Sequence, residues 1–306
     1  MFKKKYYACL NKCEEIIMRS SSGGVFFEMA SAVLNKNGIV YGVAFDKDFE
    51  AKMLRVVNVD ELHKIQGSKY VKANLNNSYD LVMKDLENQK KVLFSGTPCQ
   101  IFGLYNYLKK KNVNINNLIT IDVICHGTPD ETIFSVYLSH LKKKYNSSIS
   151  SLTFRDKTSG KVQFLSIEFK NGAKYNATTT QDLYYKAFLY NYSLKEVCYS
   201  CPFSNLNRCS NITIGDYWGY KGKINKEKGL SLVMINDSKG LELFLEIEAK
   251  FLVEEAKQEN IMQIPLIRPA KKPYYSKFVK RKMREGKYFL VKLILNLVRL
   301  KNKIIH

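Results

Sequence analysis

Residues 198–218, Cys-Tyr-Ser-Cys-Pro-Phe-Ser-Asn-Leu-Asn-Arg-Cys-Ser-Asn-Ile-Thr-Ile-Gly-Asp-Tyr-Trp, place two thiols close together just before a short apolar segment. The spacing of Cys198 and Cys201 lets both sulfur atoms approach one ion. A closed zinc or iron–sulfur site normally takes four soft ligands. The pair therefore predicts that other thiols of the chain complete the set.

Cys99 and Cys125 are the candidates for the missing ligands. Each comes just after a short apolar run, at residues 92–95 and 118–124, that predicts a buried strand. A Gly-Thr-Pro turn lies beside each cysteine and a helical pattern follows, which favours a parallel core. If these strands are parallel neighbours, both thiols lie at the carboxyl edge of the sheet, where open α/β sheets bind ligands.

The patterns along the chain predict an α/β fold, with a mixed, largely parallel sheet as its core. Alternating apolar and polar residues at 152–155 and 163–170, joined by a Gly-containing turn at 156–160, predict a hairpin and a second subdomain. The expected organisation is an α/β region at 1–145, an α+β subdomain with the CxxC ligands at 146–265, and a basic, amphipathic helical tail at 266–306.

The composition predicts a folded protein of the cytoplasm. The chain has 306 residues, of which 45% are hydrophobic, so it can bury one large core or two modest ones. No run of about 18 apolar residues predicts a membrane span, and no apolar run of signal-peptide length follows the basic first residues. Seven cysteines in a reducing compartment more often bind metal or react than form disulfides.

The positive charge is concentrated in the tail. The formal net charge is +21, and residues 268–306 hold thirteen Lys or Arg against the single acid Glu285. We expect the apolar stripe of the last helix to pack on protein, with peripheral contact to an anionic membrane surface as the alternative. The stripe consists of Phe289, Leu290, Leu293, Ile294, Leu297, Val298 and Leu300.

Two polar segments are candidates for holding an anionic cofactor. Ser20-Ser-Ser-Gly-Gly24 leads into a helical pattern, where paired glycines let backbone N–H groups approach a phosphate. The simpler interpretation is a helix cap by Ser21 or Ser22 with a tight turn. The basic loop at 66–72 either contacts the same cofactor or faces solvent.

The residues alone leave three chemistries open for the cysteines. Zinc sites usually use two close pairs, and only one is present. A catalytic thiol needs a histidine, which His126 beside Cys125 supplies, but the other thiols would then be superfluous. An iron–sulfur cluster tolerates scattered ligands, and Pro202 directly after Cys201 is typical of ferredoxin runs.

Six motifs in one order resemble the coenzyme F(420) hydrogenase/dehydrogenase beta-subunit family. The resemblance implies an α/β flavoprotein oxidoreductase that binds FAD and a four-iron, four-sulfur (4Fe-4S) cluster and passes electrons to a hydride-type acceptor. The motifs are Ser20-Ser-Ser-Gly-Gly-Val, Gly67-Ser-Lys-Tyr-Val, Ser95-Gly-Thr-Pro-Cys-Gln, Asp122-Val-Ile-Cys-His-Gly-Thr-Pro, Cys198-Tyr-Ser-Cys-Pro-Phe and Ile212-Thr-Ile-Gly-Asp-Tyr-Trp-Gly.

The resemblance assigns residues to both groups and makes 1–145 the expected flavin- and cluster-binding region. By this resemblance, the cluster ligands are Cys99, Cys125, Cys198 and Cys201. The flavin contacts are Ser22, Gly23 and Gly24, with Ser68 and Lys69 as further candidates. No ligand position of the family falls on Cys9, Cys13 or Cys209, and His126 is a candidate donor or proton carrier beside a ligand.

Two departures from the family shape the expected partners. The ferredoxin-like module of many relatives is missing from this sequence, so a separate electron donor such as a ferredoxin is expected. Nothing identifies the deazaflavin as substrate, and shorter relatives of this kind resemble proteins of surface-polysaccharide biosynthesis. The acceptor is therefore an organic molecule of unknown identity. The rival hypothesis is a basic nucleic-acid- or partner-binding protein with a structural zinc site of four cysteines, although no RNA-recognition signature supports nucleic acid.

Overall fold

The computed structural model describes residues 2–158 and 164–304, which contain a large sheet, a small sheet and the helices that cover them. The strands are β1 (Lys5–Asn11), β2 (Ile39–Phe45), β3 (Ala51–Val56), β4 (Val92–Gly96), β5 (Leu118–Val123), β6 (Ile149–Thr153), β7 (Phe164–Phe169), β8 (Lys174–Thr178), β9 (Ile212–Asp216), β10 (Ser231–Ile235) and β11 (Phe251–Glu255). The α-helices are α1 (Glu14–Arg19), α2 (Val25–Leu34), α3 (Leu62–Ile65), α4 (Ser78–Glu87), α5 (Pro98–Lys110), α6 (Glu131–Lys144), α7 (Leu183–Leu189), α8 (Ser238–Ile247), α9 (Ser276–Arg284) and α10 (Tyr288–Ile304).

The large sheet has eight strands in the order β11-β1-β10-β9-β5-β4-β2-β3. Its four central strands, β9, β5, β4 and β2, run parallel to one another. Antiparallel strands extend the sheet on both sides, with β3 beside β2 and with β10, β1 and β11 beyond β9. The predicted α/β class with a mixed sheet around a parallel core is confirmed.

Burial on both faces explains the apolar character of the central strands. In β5 only the last residue is partly exposed, and every residue of β10, the antiparallel strand beside β9, is buried. In β4, Leu93 packs in one apolar cluster with residues of α2 and α8, whereas Val92 and Phe94 pack in another with α4 and α5. Helices therefore cover both faces, so nearly continuous apolar runs form the central strands.

The small sheet, β6-β7-β8, is antiparallel and packs by one face only. Burial alternates along β7, and its inward residues Leu165, Ile167 and Phe169 join an aromatic-rich core with α6 and α7. The predicted hairpin at β6 and β7 is confirmed. Its expected turn at 156–160 falls partly on residues 159 and 160, which lie outside the described residues.

After the small sheet the chain returns to the large one. We expected 146–265 to form an α+β subdomain, and the pairing puts β9, β10 and β11 of that range into the eight-stranded sheet. Along the chain, α6, the small sheet and α7 thus lie between β5 and β9, although these two strands are neighbours in the large sheet. The proposed boundaries at 145 and 265 stay a prediction.

The last helix packs on the protein by a face that overlaps the expected stripe only in part. Its buried side chains contact the aromatic core together with Ile294, a partly buried member of the stripe, whereas three other members remain exposed. The buried ones are Tyr288, Val291 and Leu295, and the exposed ones are Phe289 at 79%, Leu293 at 49% and Leu297 at 52%. The side chains of Val298 and Leu300 lie outside the described set. No helix within 2–158 and 164–304 is long and apolar enough to cross a membrane.

A leucine-to-alanine substitution should have a large effect on the buried face of α10 and a small effect on its exposed face. Leu295→Ala should lower the free energy of unfolding by about 3 kcal/mol, because truncating a leucine in a packed core leaves a cavity. Leu293→Ala is the matched control, and it should change stability by less than about 0.5 kcal/mol. Denaturant titration of both variants measures the difference. Equal losses would show that α10 packs differently.

Candidate functional site

Cys99 lies in the first turn of α5. Thr97 precedes the helix, and its backbone N–H donates to the side-chain oxygen of Gln100 at 2.8 Å. The Cys99 sulfur lies 3.1 Å from the hydroxyl oxygen of Thr97 and is exposed. A helix N-terminus stabilises negative charge, so this position suits a metal-bound thiolate, as the sequence predicted.

Cys125 lies at the same edge of the sheet as Cys99. The parallel register pairs Gly96 of β4 with Asp122 of β5, and each cysteine follows its paired residue by three positions. The predicted neighbourhood of the two strands is therefore confirmed. The Cys125 sulfur donates to the carbonyl of Gly127 at 3.7 Å.

Gly127 allows the loop that carries Cys198 to pack on the loop that follows Cys125. Gly127 has φ +141, and a Cβ placed there would lie 2.7 Å from Leu194 and 3.2 Å from the Cβ of Cys198. The N–H of Thr128 points at the Cys198 sulfur at 3.5 Å. This glycine therefore allows the turn with Cys198 and Cys201 to pack on the loop after β5.

Three other cysteines act on Cys125. Burial is the main cause that raises the pKa of the Cys125 thiol to about 12, and Cys99, Cys198 and Cys201 make smaller contributions to that rise. In the described ranges, no three His, Cys, Asp or Glu side chains are arranged closely enough to hold a metal ion. The thiols therefore lie at one edge of the sheet without the spacing of ligands to a single metal ion. As a donor set they fit a thiolate-bound cluster, whose positive charge would favour their ionised forms.

A buried ion pair fixes the loop that carries Cys201. The guanidinium of Arg208 donates to both carboxylate oxygens of Asp122 on β5, at 3.2 and 2.9 Å, and both side chains are almost fully buried. Arg208 also donates to the carbonyl of Phe203 at 2.9 Å. Burial raises the pKa of Asp122, and the Arg208 charge opposes that rise. Sequence reasoning missed this pair, although an acid inside a buried strand is a sign that a cation lies nearby.

The remaining three cysteines have different surroundings. Cys9 is fully buried in β1, and burial raises its pKa strongly. Cys13 is exposed. Cys209 is also exposed, and its sulfur lies 3.8 Å from the carbonyl oxygen of Pro98. Partial burial of its sulfur raises the pKa of Cys209, and the Asp122 charge adds to that rise. The contact with Pro98 places Cys209 beside Cys99.

His126 packs against an aromatic ring. Its ring centroid lies 4.5 Å from that of Phe188, and Nε2 lies 3.5 Å from the Phe188 carbonyl oxygen. Burial lowers its pKa, which favours the neutral imidazole. These contacts account for the histidine as a packed side chain.

The segment at residues 20–24, here called the glycine segment, differs from the predicted cap. The residue before α2 is Gly24, with φ +86, and no side chain caps the helix. Ser21 Oγ instead accepts from the N–H of Ser68 at 2.6 Å, and Ser22 Oγ donates to the Leu230 carbonyl at 2.7 Å. The cap prediction was therefore wrong, because both hydroxyls are used in long-range contacts. Among the residues that the structure describes, no side chain accepts a hydrogen bond from the first N–H groups of α2.

Gly23 is a site of close packing. Its N–H donates to Ser231 Oγ at 2.9 Å, and a Cβ at this position would lie 2.2 Å from the Cys9 carbonyl oxygen. The strand β1 thus leaves no room for a side chain. This constraint explains one of the paired glycines without a ligand.

Lys69, in the loop after α3, has a desolvated ammonium group. It donates to the carbonyls of Gln66 at 2.7 Å and Lys64 at 3.3 Å. The residue is only half-buried as a whole, but burial of its ammonium lowers its pKa to about 7. The loop at 66–72 is joined to the glycine segment through Ser68.

Sequence reasoning also missed Arg155 and Lys157, which reach from the end of the small sheet to the glycine segment. Arg155 donates to both carboxylate oxygens of Asp216 on β9, at 2.7 and 3.1 Å, and to the Ser21 carbonyl at 2.8 Å. Lys157 donates to the carbonyls of Ile17 and Ser22 at 2.8 and 2.7 Å. Basic residues at alternate positions after a strand were the available signal.

This arrangement defines an α/β protein with grouped thiols at the carboxyl edge of parallel strands. The family model for the coenzyme F420 hydrogenase/dehydrogenase beta subunit, C terminus, matches residues 89–260. The match covers more than half of the chain, which therefore belongs to the coenzyme F420 hydrogenase/dehydrogenase beta-subunit family.

The comparison of folds agrees with this family. A chain in a structure of the xenon-derivatised F420-reducing [NiFe] hydrogenase complex from Methanosarcina barkeri is similar, with a TM-score of 0.55 and 16% identity, over 94% of this chain and 90% of that one. At this identity the similarity describes the fold. No curated protein matches the chain.

The close packing at Gly23 predicts a clear difference between two glycines. Gly23→Ala should destabilise the protein by about 3 kcal/mol, because the new methyl group overlaps the β1 backbone. Gly67→Ala is the control, since its Cβ would meet nothing within 4 Å and only its φ of +78 costs energy, about 1 kcal/mol. Thermal melting of both variants tests this, and equal melting temperatures would contradict it.

Proposed function

We propose that this protein is an iron–sulfur flavoprotein oxidoreductase, in keeping with its family. The observation that carries the proposal is that the parallel register puts Cys99 and Cys125 at one edge of the sheet, while Cys198, three residues before Cys201, packs on the loop that follows Cys125. These four thiolates would hold a 4Fe-4S cluster. A bound cluster supplies one-electron transfer, and a bound flavin couples it to two-electron chemistry.

The flavin would be FAD, held at the glycine segment and the loop at 66–72. Ser22, Gly23, Gly24, Ser68 and Lys69 are the proposed contacts. Since the Gly23 N–H is already bound to Ser231, the free donors for an FAD phosphate are those of the first turn of α2. The role of these residues is to orient the flavin and to exclude water from it.

The reaction would need partners from outside the chain. We propose a separate donor such as a ferredoxin, and an organic acceptor in the cytoplasm, in surface-polysaccharide biosynthesis. The exposed position of Cys99 supports electron entry close to the surface. Arg208 would keep the Cys201 loop in place while the cluster changes charge, because its own charge is neutralised by Asp122.

The cluster proposal predicts that the iron content depends on Cys201 but not on Cys13. Cys201→Ser should remove most of the iron from anaerobically purified protein, because three thiolates hold a 4Fe-4S cluster poorly. Cys13→Ser, at an exposed thiol away from the group, should keep full iron content. Iron assay and visible spectra measure both. Equal iron in the two variants would refute the ligand assignment.

The same preparation separates the proposal from its rival. Wild-type protein should be brown, with broad visible absorbance that dithionite bleaches, and should release FAD on denaturation. Colourless protein with one bound zinc ion and no flavin would instead favour the structural zinc site of a binding protein.

We also propose that α10 rests on an anionic membrane. Phe289, Leu293 and Leu297 form an exposed apolar face, and Lys292 is exposed beside it. An apolar face bordered by lysines matches the chemistry of an anionic lipid surface, where each nearby Lys or Arg adds about 1 kcal/mol. Such contact would bring the enzyme to lipid-linked sugars at the inner face of the membrane.

Vesicle flotation tests the membrane contact. Full-length protein should float with anionic vesicles at low salt, and much less at high salt. The double variant Phe289→Ser, Leu293→Ser should lose most of this binding. Leu245→Ser, at an equally exposed leucine of α8, should bind like wild type. Equal flotation of all three proteins, or binding to neutral vesicles only, would reject the contact.

A further inference from the structure

An aromatic pair lies at the thiol-bearing edge of the protein, outside its apolar cores. Phe102 of α5 is 47% exposed, and its ring centroid lies 5.3 Å from that of Phe203. Phe102 follows Cys99 by three positions and Phe203 follows Cys201 by two, so each ring belongs to a segment with a proposed ligand. Among the described residues, neither ring is part of an apolar core cluster. The pair therefore leaves apolar surface open to solvent beside the thiols.

The exposed face of α5 continues from the thiol to two lysines. Cys99, Phe102, Asn106, Lys109 and Lys110 are all exposed. Successive members of this set are three or four positions apart, a spacing that puts side chains on one face of a helix. The aromatic surface of α5 thus has the Cys99 thiol on one side and two ammonium groups on the other.

The loop after Cys201 brings a further positive charge. The Nζ of Lys4 donates to the Leu206 carbonyl oxygen at 2.6 Å, three positions after Phe203. The charge of Arg208 in the same loop is neutralised by its ion pair with Asp122. Lys4 is therefore the cation of this loop that can act on a partner.

Acidic residues are missing from the segments that form this surface. Residues 97–111 and 198–209, which supply both rings, contain no Asp or Glu. Asp80 of α4 contacts α5 by accepting a hydrogen bond from the hydroxyl of Tyr107. Tyr107 is five positions beyond Phe102, which puts it about 140° around the helix from that ring. The surface around the aromatic pair is therefore positive.

The composition of this surface indicates what kind of molecule covers it. Exposed aromatic side chains are typical anchors of protein interfaces, and charges around them speed association with a partner of opposite sign. A second copy of this chain, with a formal net charge of +21, would bring lysines against lysines. Charge complementarity therefore favours an acidic protein as the partner.

We propose that the Phe102–Phe203 pair, with Lys4, Lys109 and Lys110 around it, is the docking surface for an acidic electron-carrying protein of the ferredoxin class. This inference rests on the proposed function, because the thiols beside the rings give the surface its role. A partner seated on both rings lies close to the exposed Cys99. Complexes of electron-transfer proteins are small, with less than about 1,200 Å² buried, so two rings and a basic rim suffice for a transient contact.

A purified ferredoxin with two 4Fe-4S clusters and a negative net charge is the probe. In isothermal titration calorimetry, anaerobically purified full-length protein should bind it saturably at low salt and more weakly at high salt. Phe102→Ser should weaken binding about tenfold, because it removes an aromatic anchor. Phe102→Trp, which keeps an aromatic side chain, should bind like wild type. So should the control Leu245→Ser, at a leucine of α8 that is 56% exposed.

The lysines have their own matched control. Lys109→Gln combined with Lys110→Gln should weaken binding about fivefold at low salt and should reduce its salt dependence. Lys143→Gln combined with Lys144→Gln also removes two exposed lysines from the last turn of a helix, here α6, and should leave affinity within about twofold. Thermal melting and bleaching by dithionite show that each variant is folded and retains its cluster.

The docking surface and the proposed function fail separately. Equal affinity of wild type, Phe102→Ser and Leu245→Ser, or no binding by folded wild type that contains iron and FAD, overturns the surface and leaves the flavoprotein proposal intact. A dimer that Phe102→Ser converts to a monomer in analytical ultracentrifugation also overturns it, because a second copy then covers the rings. Ferredoxin binding that depends on Phe102 in protein without iron or FAD upholds the surface and refutes the flavoprotein proposal.

Discussion

The buried carboxylate of Asp122 is the constraint on which the arrangement of the cysteines depends. It lies on β5, in the parallel centre of the large sheet, and is fully buried. A charge in that position needs a partner, because removing one member of a buried pair leaves an uncompensated charge. Arg208 is that partner, so the loop between Cys201 and Cys209 must lie against the end of β5. The turn with Cys198 and Cys201 is thereby held against the loop that follows Cys125.

A second buried ion pair, Arg155 with Asp216, connects the two sheets. Asp216 ends β9, and Arg155 follows β6, so the pair crosses from the large sheet to the small one. The same guanidinium also holds the Ser21 carbonyl. The glycine segment, β9 and the small sheet therefore meet at one point.

Much of the fold was predictable because its signals are local. Apolar runs in β4 and β5, each with a Gly-Thr-Pro turn beside it, predicted parallel neighbours with Cys99 and Cys125 at one edge, and the register of the two strands agrees. Helical spacing predicted α2, α5 and α6, and alternation predicted the hairpin of β6 and β7. The glycine motifs were less informative. Gly23 and Gly127 have no room for a Cβ, so packing requires them whether or not a ligand contacts them.

The sequence by itself determined most of the elements that form, and motif order and strand edges predicted that Cys99, Cys125, Cys198 and Cys201 act together. Tertiary structure alone decided that Arg208 pairs with Asp122, that Arg155 and Lys157 enclose the glycine segment, and which face of α10 is buried. The physical reason is distance along the chain: these contacts join residues separated by 61 to 140 positions, or depend on a helix that is apolar on more than one face. Local periodicity carries no information on such pairings, which are selected by the need to neutralise buried charge and to fill the core.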